Sequence, residues 1–256
     1  MSAVQKVRRA IQNRVPFDEL KRKFDDAIRI YEKYDNPYGH PIHYAARDGW
    51  PEMLTVLVEK LGCDVNLTNN EGLTPFEIAL AFCSLSACKR LYNLGAQIPT
   101  TVSSETTKTI IDSGCTDMLY FVIYHQIIKL SDIKKYIMED FGRLPLGMKE
   151  IAIALGCNIN DLNNWRHMTQ LMIYVRYYSD LEVIKFMLAA GADISMYDAQ
   201  GDSVFDHLNF NYNFVLFSQR TPKEKVLQLL SEGVSKEYQL FFDQRIKNVK
   251  FLCINH

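Results

Sequence analysis

The sequence predicts an all-α protein, a solenoid of stacked helix-turn-helix units with a helical cap at each end. Three observations carry that expectation. The chain repeats itself: Pro41 to Pro75 and Ala45 to Ala79 are 34 residues apart, Gly62 to Gly95 is 33, and Gly156 to Gly191 is 35,. Inside the copies, apolar residues recur at helical spacing, as in Leu54, Leu57 and Val58 and again in Ile184, Met187 and Leu188,. The first two copies open on a capping position followed by proline, His40-Pro41 and Thr74-Pro75, and glycines 62, 95, 156 and 191 close second helices,.

The elements follow in order. Residues 1–34 read as a helical pair, broken at Val15-Pro16, that serves as the N-terminal cap,. Repeats are expected at about 35–68, 69–100, 101–130, 131–163, 164–197 and 198–233, with those at 101–130 and 131–163 degenerate,. Ala45, Ala46 and Ala79 keep the first helices thin, so that neighbouring units stack closely. Residues 234–256 form the C-terminal cap, with a last helix from about 236 to 249,. The charged stretches "DELKRKFDD" and "SKEYQLFFDQRIKNVK" give the two ends the polar outer face that a solenoid needs,. Within 100–155 the segment "DSGCTDMLYFVI" still overlays "RDGWPEMLTVLV", but "PTTVSSETTKT" and "EDFGRLPLGMKE" break the pattern. The stack either bends there or presents a separate contact surface.

The stretches "HPIHYAARDG" and "TPFEIALAF", with the turns "GCDVN", "GCNIN" and "GADIS", resemble the ankyrin repeat and its T-P-L-H-x-A signature,. The resemblance is clear at 35–98 and 156–208 and faint at 100–155. It implies an ankyrin-repeat solenoid with β-turn or hairpin tips. It also implies a non-catalytic protein–protein interaction module: an adaptor, an inhibitor, or a pathogen-encoded factor directed at host proteins. AT-rich codon usage, suggested by abundant Ile, Asn, Lys and Tyr, leans to the last of these. The face that such proteins use is the concave side, made of the turn tips and the exposed ends of the first helices. Carried over residue by residue, it comprises Asn36, Pro37, Arg47 and Asp48, then Asn70, Glu71, Leu73 and Phe82. Trp165, Arg166, Met168, Arg176 and Tyr177 follow, and then Gln200, Asp202, Phe210 and Asn211. Trp, Tyr and Arg dominate interface energetics, so the weight falls on Trp165, Arg166, Arg176, Tyr177 and Phe210. The same resemblance makes Asn66 a possible hydroxylation site, with Asn160 a weaker match; the plainer reading is a turn amide that satisfies nearby backbone.

Other chemistry finds little support. The formal net charge of −1 supplies no field for nucleic acid,. The longest apolar runs, 118–124 and 78–88, fall short of the roughly 20 residues of a membrane span,. Cys63, Cys83, Cys88, Cys115, Cys157 and Cys253 lack CxxC pairing, which fits reduced thiols in a cytoplasmic protein, in the host cytosol or nucleus if pathogen-encoded,. His40 and His43 are expected in structural roles: His40 replaces the capping threonine, and His43 bonds between turns. Neither a metal nor a cofactor is expected, and the carboxylates read as solvated. The protein is expected to be monomeric. Two alternatives stand: an enzyme with a site in 100–155 around Cys115 and His125, or a nucleic-acid-associated factor.

Overall fold

The computed structural model describes residues 3–33, 40–162, 167–178, 180–214 and 222–255. Among these the chain is helical, with one antiparallel bridge between Tyr197 and Ser203. It divides into two compact units, Met1–Ile128 and Lys129–His256.

In the first unit, α1 (Ala3–Gln12) and α2 (Phe17–Lys33) pack on each other on either side of Pro16. Three helix pairs follow: α3 (Pro41–Arg47) with α4 (Pro51–Thr55), α5 (Pro75–Ala81) with α6 (Leu85–Asn93), and α7 (Ser104–Asp112) with α8 (Thr116–Tyr124). A π-helical turn, Val56–Lys60, prolongs α4. The first helices α3, α5 and α7 lie side by side, and α4 lies beside α6. This close stacking follows from Ala45, Ala46 and Ala79, which are fully buried where a larger side chain would hold the helices apart,. Leu54 and Leu57 fill the seam behind them.

Capping decides where the first helices begin. Thr74 forms a reciprocal box with Glu77, and His40 accepts from the Ile42 N–H through Nδ1 at 3.4 Å,. The irregular stretch before residue 104 also carries a cap: Ser103 Oγ accepts from the Thr106 N–H at 3.0 Å. A serine without a following proline does the work of Thr-Pro there, so the helix pair persists where the signature fades. Cys83 lies in the connection between α5 and α6 with φ of +51°.

The second unit contains α9 (Leu130–Glu139), α10 (Leu146–Ala154), α11 (Gln170–Tyr177), α12 (Leu181–Ala189), α13 (Val204–Phe214), α14 (Lys223–Glu232) and α15 (Lys236–Asn255). Helix α11 packs on α13, and α12 packs on α14. The last helix does more than close an end: it runs back along α10 and α12. Phe242 meets Phe186 edge-on at 5.3 Å, Gln239 Nε2 donates to the Ala189 carbonyl at 3.0 Å, and Arg245 Nε sits 2.6 Å from Glu150 Oε1.

That contact corrects the expectation that the carboxylates are solvated, since Glu150 is buried. Beside it Lys149 is only 2% exposed. Its ammonium donates to the carbonyls of Leu144 and Gly142, and burial brings it down to about 8,. The loop between α9 and α10 is thus tied to the core by a lysine as well as by the buried Phe141 and Leu144.

Glycines 62, 95, 156 and 191 have φ between +69° and +86° at the ends of second helices,. Successive turns are stitched by asparagine. Asn66 Oδ1 accepts from the Gln97 N–H at 2.8 Å. Asn160 Oδ1 accepts from the Asp193 N–H at 2.8 Å, while its Nδ2 donates to the Gly191 carbonyl at 2.9 Å.

Candidate functional site

Two turn tips share one geometry. Asn69 Oδ1 accepts from the N–H groups of Glu71 (3.0 Å) and Leu73 (2.8 Å). Asp198 Oδ1 accepts from those of Gln200 and Asp202, both at 2.9 Å. In each case one buried side-chain oxygen holds the tip rigid, so the residues flanking it project from a fixed base.

The helices behind the tips present aromatics at one register. Phe82 is the eighth residue after the Thr74 cap and Tyr177 the eighth after the Thr169 cap. They are 50% and 55% exposed. Each lines a concavity within its own unit. Phe82 and Leu73 line one of 390 Å³ between α5 and α7, which Glu77, Leu80, Val102 and Glu105 also border. Tyr177 lines one of 490 Å³ with Glu139, Asp140, Arg143, Gln170 and Tyr178. There Arg143 Nε donates to Tyr178 Oη at 3.4 Å. Gly142 approaches so closely that a Cβ would stand 3.1 Å from the Tyr178 ring.

The other expected contact residues divide. Arg47 and Asp48 lie together at the end of α3, with Nε 2.7 Å from Oδ1 and the guanidinium 4.8 Å from the Tyr44 ring. Phe210 is exposed at its edge. Met168, expected at the surface, is 3% exposed: it directly precedes the Thr169 cap, where an apolar side chain gains more from entering the unit than from the turn,. Arg176 is also a correction. It is 9% exposed because it lies on the side of α11 that packs on α13, where its Nη1 donates to His207 Nδ1 at 2.9 Å and its guanidinium stacks 3.7 Å from the Phe210 ring. Trp165 and Arg166, like Asn36 and Pro37, lie outside the described residues, as does the Asn211 side chain.

Arg176 belongs to a buried network that the sequence reading missed. His207 Nε2 donates to Asp198 Oδ2 at 3.1 Å, so the ring is the neutral tautomer that accepts from Arg176 on its other nitrogen,. Burial lowers the His207 pKa, and Arg176 adds to this against the opposing pull of Asp198. Burial alone would raise the Asp198 carboxyl, but the N–H groups of Asp202 and Gln200, with His207, hold it below its ordinary value. The ligating atoms of Asp198, Asp202 and His207 lie within 4.8 Å of one another. Both Asp198 oxygens and both His207 nitrogens are already engaged, and a guanidinium stands beside them, so the cluster is a structural lock rather than a cation site. The available signal was register: His207 stands where Ile78 stands after its cap, and Asp198 where Asn69 stands before it.

His40 and His43 are scaffold. His43 Nε2 donates to the Leu67 carbonyl at 2.7 Å. Burial, reinforced by His43, pushes His40 down to about 4, and burial lowers His43 as well. The alternative pairing of Cys115 with His125 fails on distance. The two residues cap opposite ends of α8, a nine-residue helix, and so stand about 15 Å apart at 1.5 Å per residue,. His125 lies among the rings of Tyr92, Phe121 and Tyr124, with centroids 4.5 to 4.7 Å away.

Residues 33–79 match the family described as "Ankyrin repeats (many copies)". Over that stretch, from the first clear repeat into the first helix of the next, the chain carries ankyrin repeats. Two solved structures are similar at a lower level. The human ASB11 ankyrin repeat domain is 17% identical, with 83% of this chain and 96% of that one covered and a TM-score of 0.47. A chain in the structure of the Bd0816 predatory endopeptidase from Bdellovibrio bacteriovorus in complex with immunity protein Bd3460 is 16% identical, with 75% and 97% covered and a TM-score of 0.45. At that level of likeness neither bears on the assignment. No helix among the described residues is long and apolar enough to cross a membrane.

Proposed function

We propose that the chain is a non-catalytic protein–protein interaction module, which holds a protein partner on the face made by its turn tips and the C-terminal ends of its first helices. The observation that supports this most is the recurrence of Phe82 and Tyr177 at one register, half exposed beside a concavity in each unit. Large aromatics left at the surface on rigid helix ends supply contact area at low entropic cost. Trp165 and Arg166 join this face by the family resemblance. An adaptor, an inhibitor or a pathogen-encoded factor directed at host proteins would act through it by occupying or bridging partners. Six free cysteine thiols accord with a cytoplasmic setting,.

A photo-reactive phenylalanine placed in turn at 82, 177, 124 and 251 tests the reading in cells. Cross-links to one protein are expected from 82 and 177 and not from 124 or 251, and the Phe82→Ala/Tyr177→Ala double variant should lose that protein. Equal cross-linking from 124 would place the contact face elsewhere.

A further inference from the structure

We infer that the concavity between α5 and α7 is a receptor for an arginine side chain presented by the partner protein. The inference rests on the interaction-module reading and names the chemistry that one part of its face selects. Leu80, Phe82 and Val102 give this 390 Å³ space apolar walls, and Glu77 and Glu105 give it two carboxylates. Glu77 Oε2 accepts from Thr74 N–H and Oγ1 at 2.8 and 2.9 Å, which fixes the carboxylate against the helix start and leaves Oε1 for a visitor. No Lys, Arg or His is among the lining residues, and Lys108 on α7 is exposed and outside the lining. A concave wall with two acids and no counter-ion raises the local concentration of cations.

The protein itself shows what fills such a place. In the second unit the concavity beside Tyr177 opens on the other side of its helix, toward the end of α9 and the loop after it, yet it too has an exposed aromatic and two carboxylates, Glu139 and Asp140, and there the chain supplies a guanidinium, Arg143. On the α13 side of the same helix, Arg176, the residue before Tyr177, stacks on Phe210 at 3.7 Å. Around α5 the aromatic and the acids are present and the guanidinium is missing. Arginine fits better than lysine because its plane stacks on the exposed Phe82 ring, its fork meets two carboxylates, and it sheds water more readily than an ammonium. A phosphorylated or acidic segment is repelled by the same two carboxylates.

The test uses the full chain, labelled with ¹⁵N and titrated with N-acetyl-arginine methylamide, and with the isosteric but neutral citrulline compound as control. The arginine probe should give saturable amide shifts at Phe82, Val102 and Thr106, with millimolar affinity. The citrulline probe should bind at least about tenfold more weakly, the loss of roughly one charge-assisted contact. Glu105→Gln, an exposed position whose change leaves the capping box intact, should weaken the arginine probe by a similar factor and leave the citrulline probe unchanged. Equal binding of the two probes, shifts that map elsewhere, or no saturable shift overturns the inference. If the probe fails while positions 82 and 177 still cross-link one protein, the arginine receptor falls and the interaction module stands. If the probe binds and those cross-links are absent, the module reading falls.

Discussion

The turn and first helix at 69–81 and those at 198–208 have the same backbone plan and opposite interiors. Around the first, Asn69 holds the tip, and the helix buries Ile78 and Ala79. Around the second, Asp198 holds the tip through identical bonds, but a carboxylate has a second oxygen and a charge to satisfy, and His207 and Arg176 answer both. The difference teaches that exchanging an amide for an acid at a rigid tip is not local: it commits the position nine residues on and a helix in the neighbouring pair.

The sharpest way to break this comparison is to remove the ring. His207→Ile leaves Asp198 and Arg176 buried without their bridge and should destabilise α11 and α13 by about 3 kcal/mol. Asp198→Asn/His207→Ile gives the second tip the chemistry of the first and should recover much of that loss. Hydrogen exchange of the α11 and α13 amides in both single variants and the double variant measures the coupling, and simple additivity would sink the idea that the three residues act as one lock.

Acid separates the regions by a smaller margin. His40 is held at about 4 and His43 is lowered, both chiefly by burial, so the unfolded chain binds these protons more readily than the folded one. Stability contributed by the pair is therefore present above about 6.5 and drains away as pH falls toward 4, by on the order of 2 kcal/mol for His40,. His40→Thr, which gives α3 the cap that α5 has, should flatten that profile in the α3 amides, while those of α13 keep the acid response of His207. An unaltered α3 profile in the variant would remove His40 from the account.

The smallest effects lie in the stitches. Asn160→Ala removes two bonds between turns and should cost about 1–2 kcal/mol, whereas Asn66→Ala removes one and should cost about 1 kcal/mol,. Thermal unfolding of the two variants ranks them, and the reverse order would contradict the geometry.

Much of the fold was legible because repetition exposes it. Pro41 and Pro75, the alanines of α3 and α5, and the closing glycines each serve one local purpose, and spacing alone reveals that purpose. The exposure of Phe82 and Tyr177 follows the same repetition, since each stands eight residues after a cap. Arg176 and Met168 were misplaced because a polar residue at a surface register and an apolar one in a turn owe their burial to partners far along the chain. Glu150 escaped for that reason too, since nothing near α10 in sequence announces Arg245, and Lys149 escaped because the carbonyls of Gly142 and Leu144 that receive it are backbone groups that no side chain advertises. Local signals report caps and turns, whereas buried charge is settled by what arrives from elsewhere.

The return of α15 across α10 has a consequence during synthesis. Glu150 leaves the ribosome roughly a hundred residues before Arg245 does, a separation that makes this among the slowest contacts to form,. The first unit is complete by Ile128 and can fold as it emerges, while the second carries an unanswered acid and an uncovered Phe186 until its last helix is made. Nascent chains halted before residue 236 should therefore expose the second unit to protease and leave the first protected.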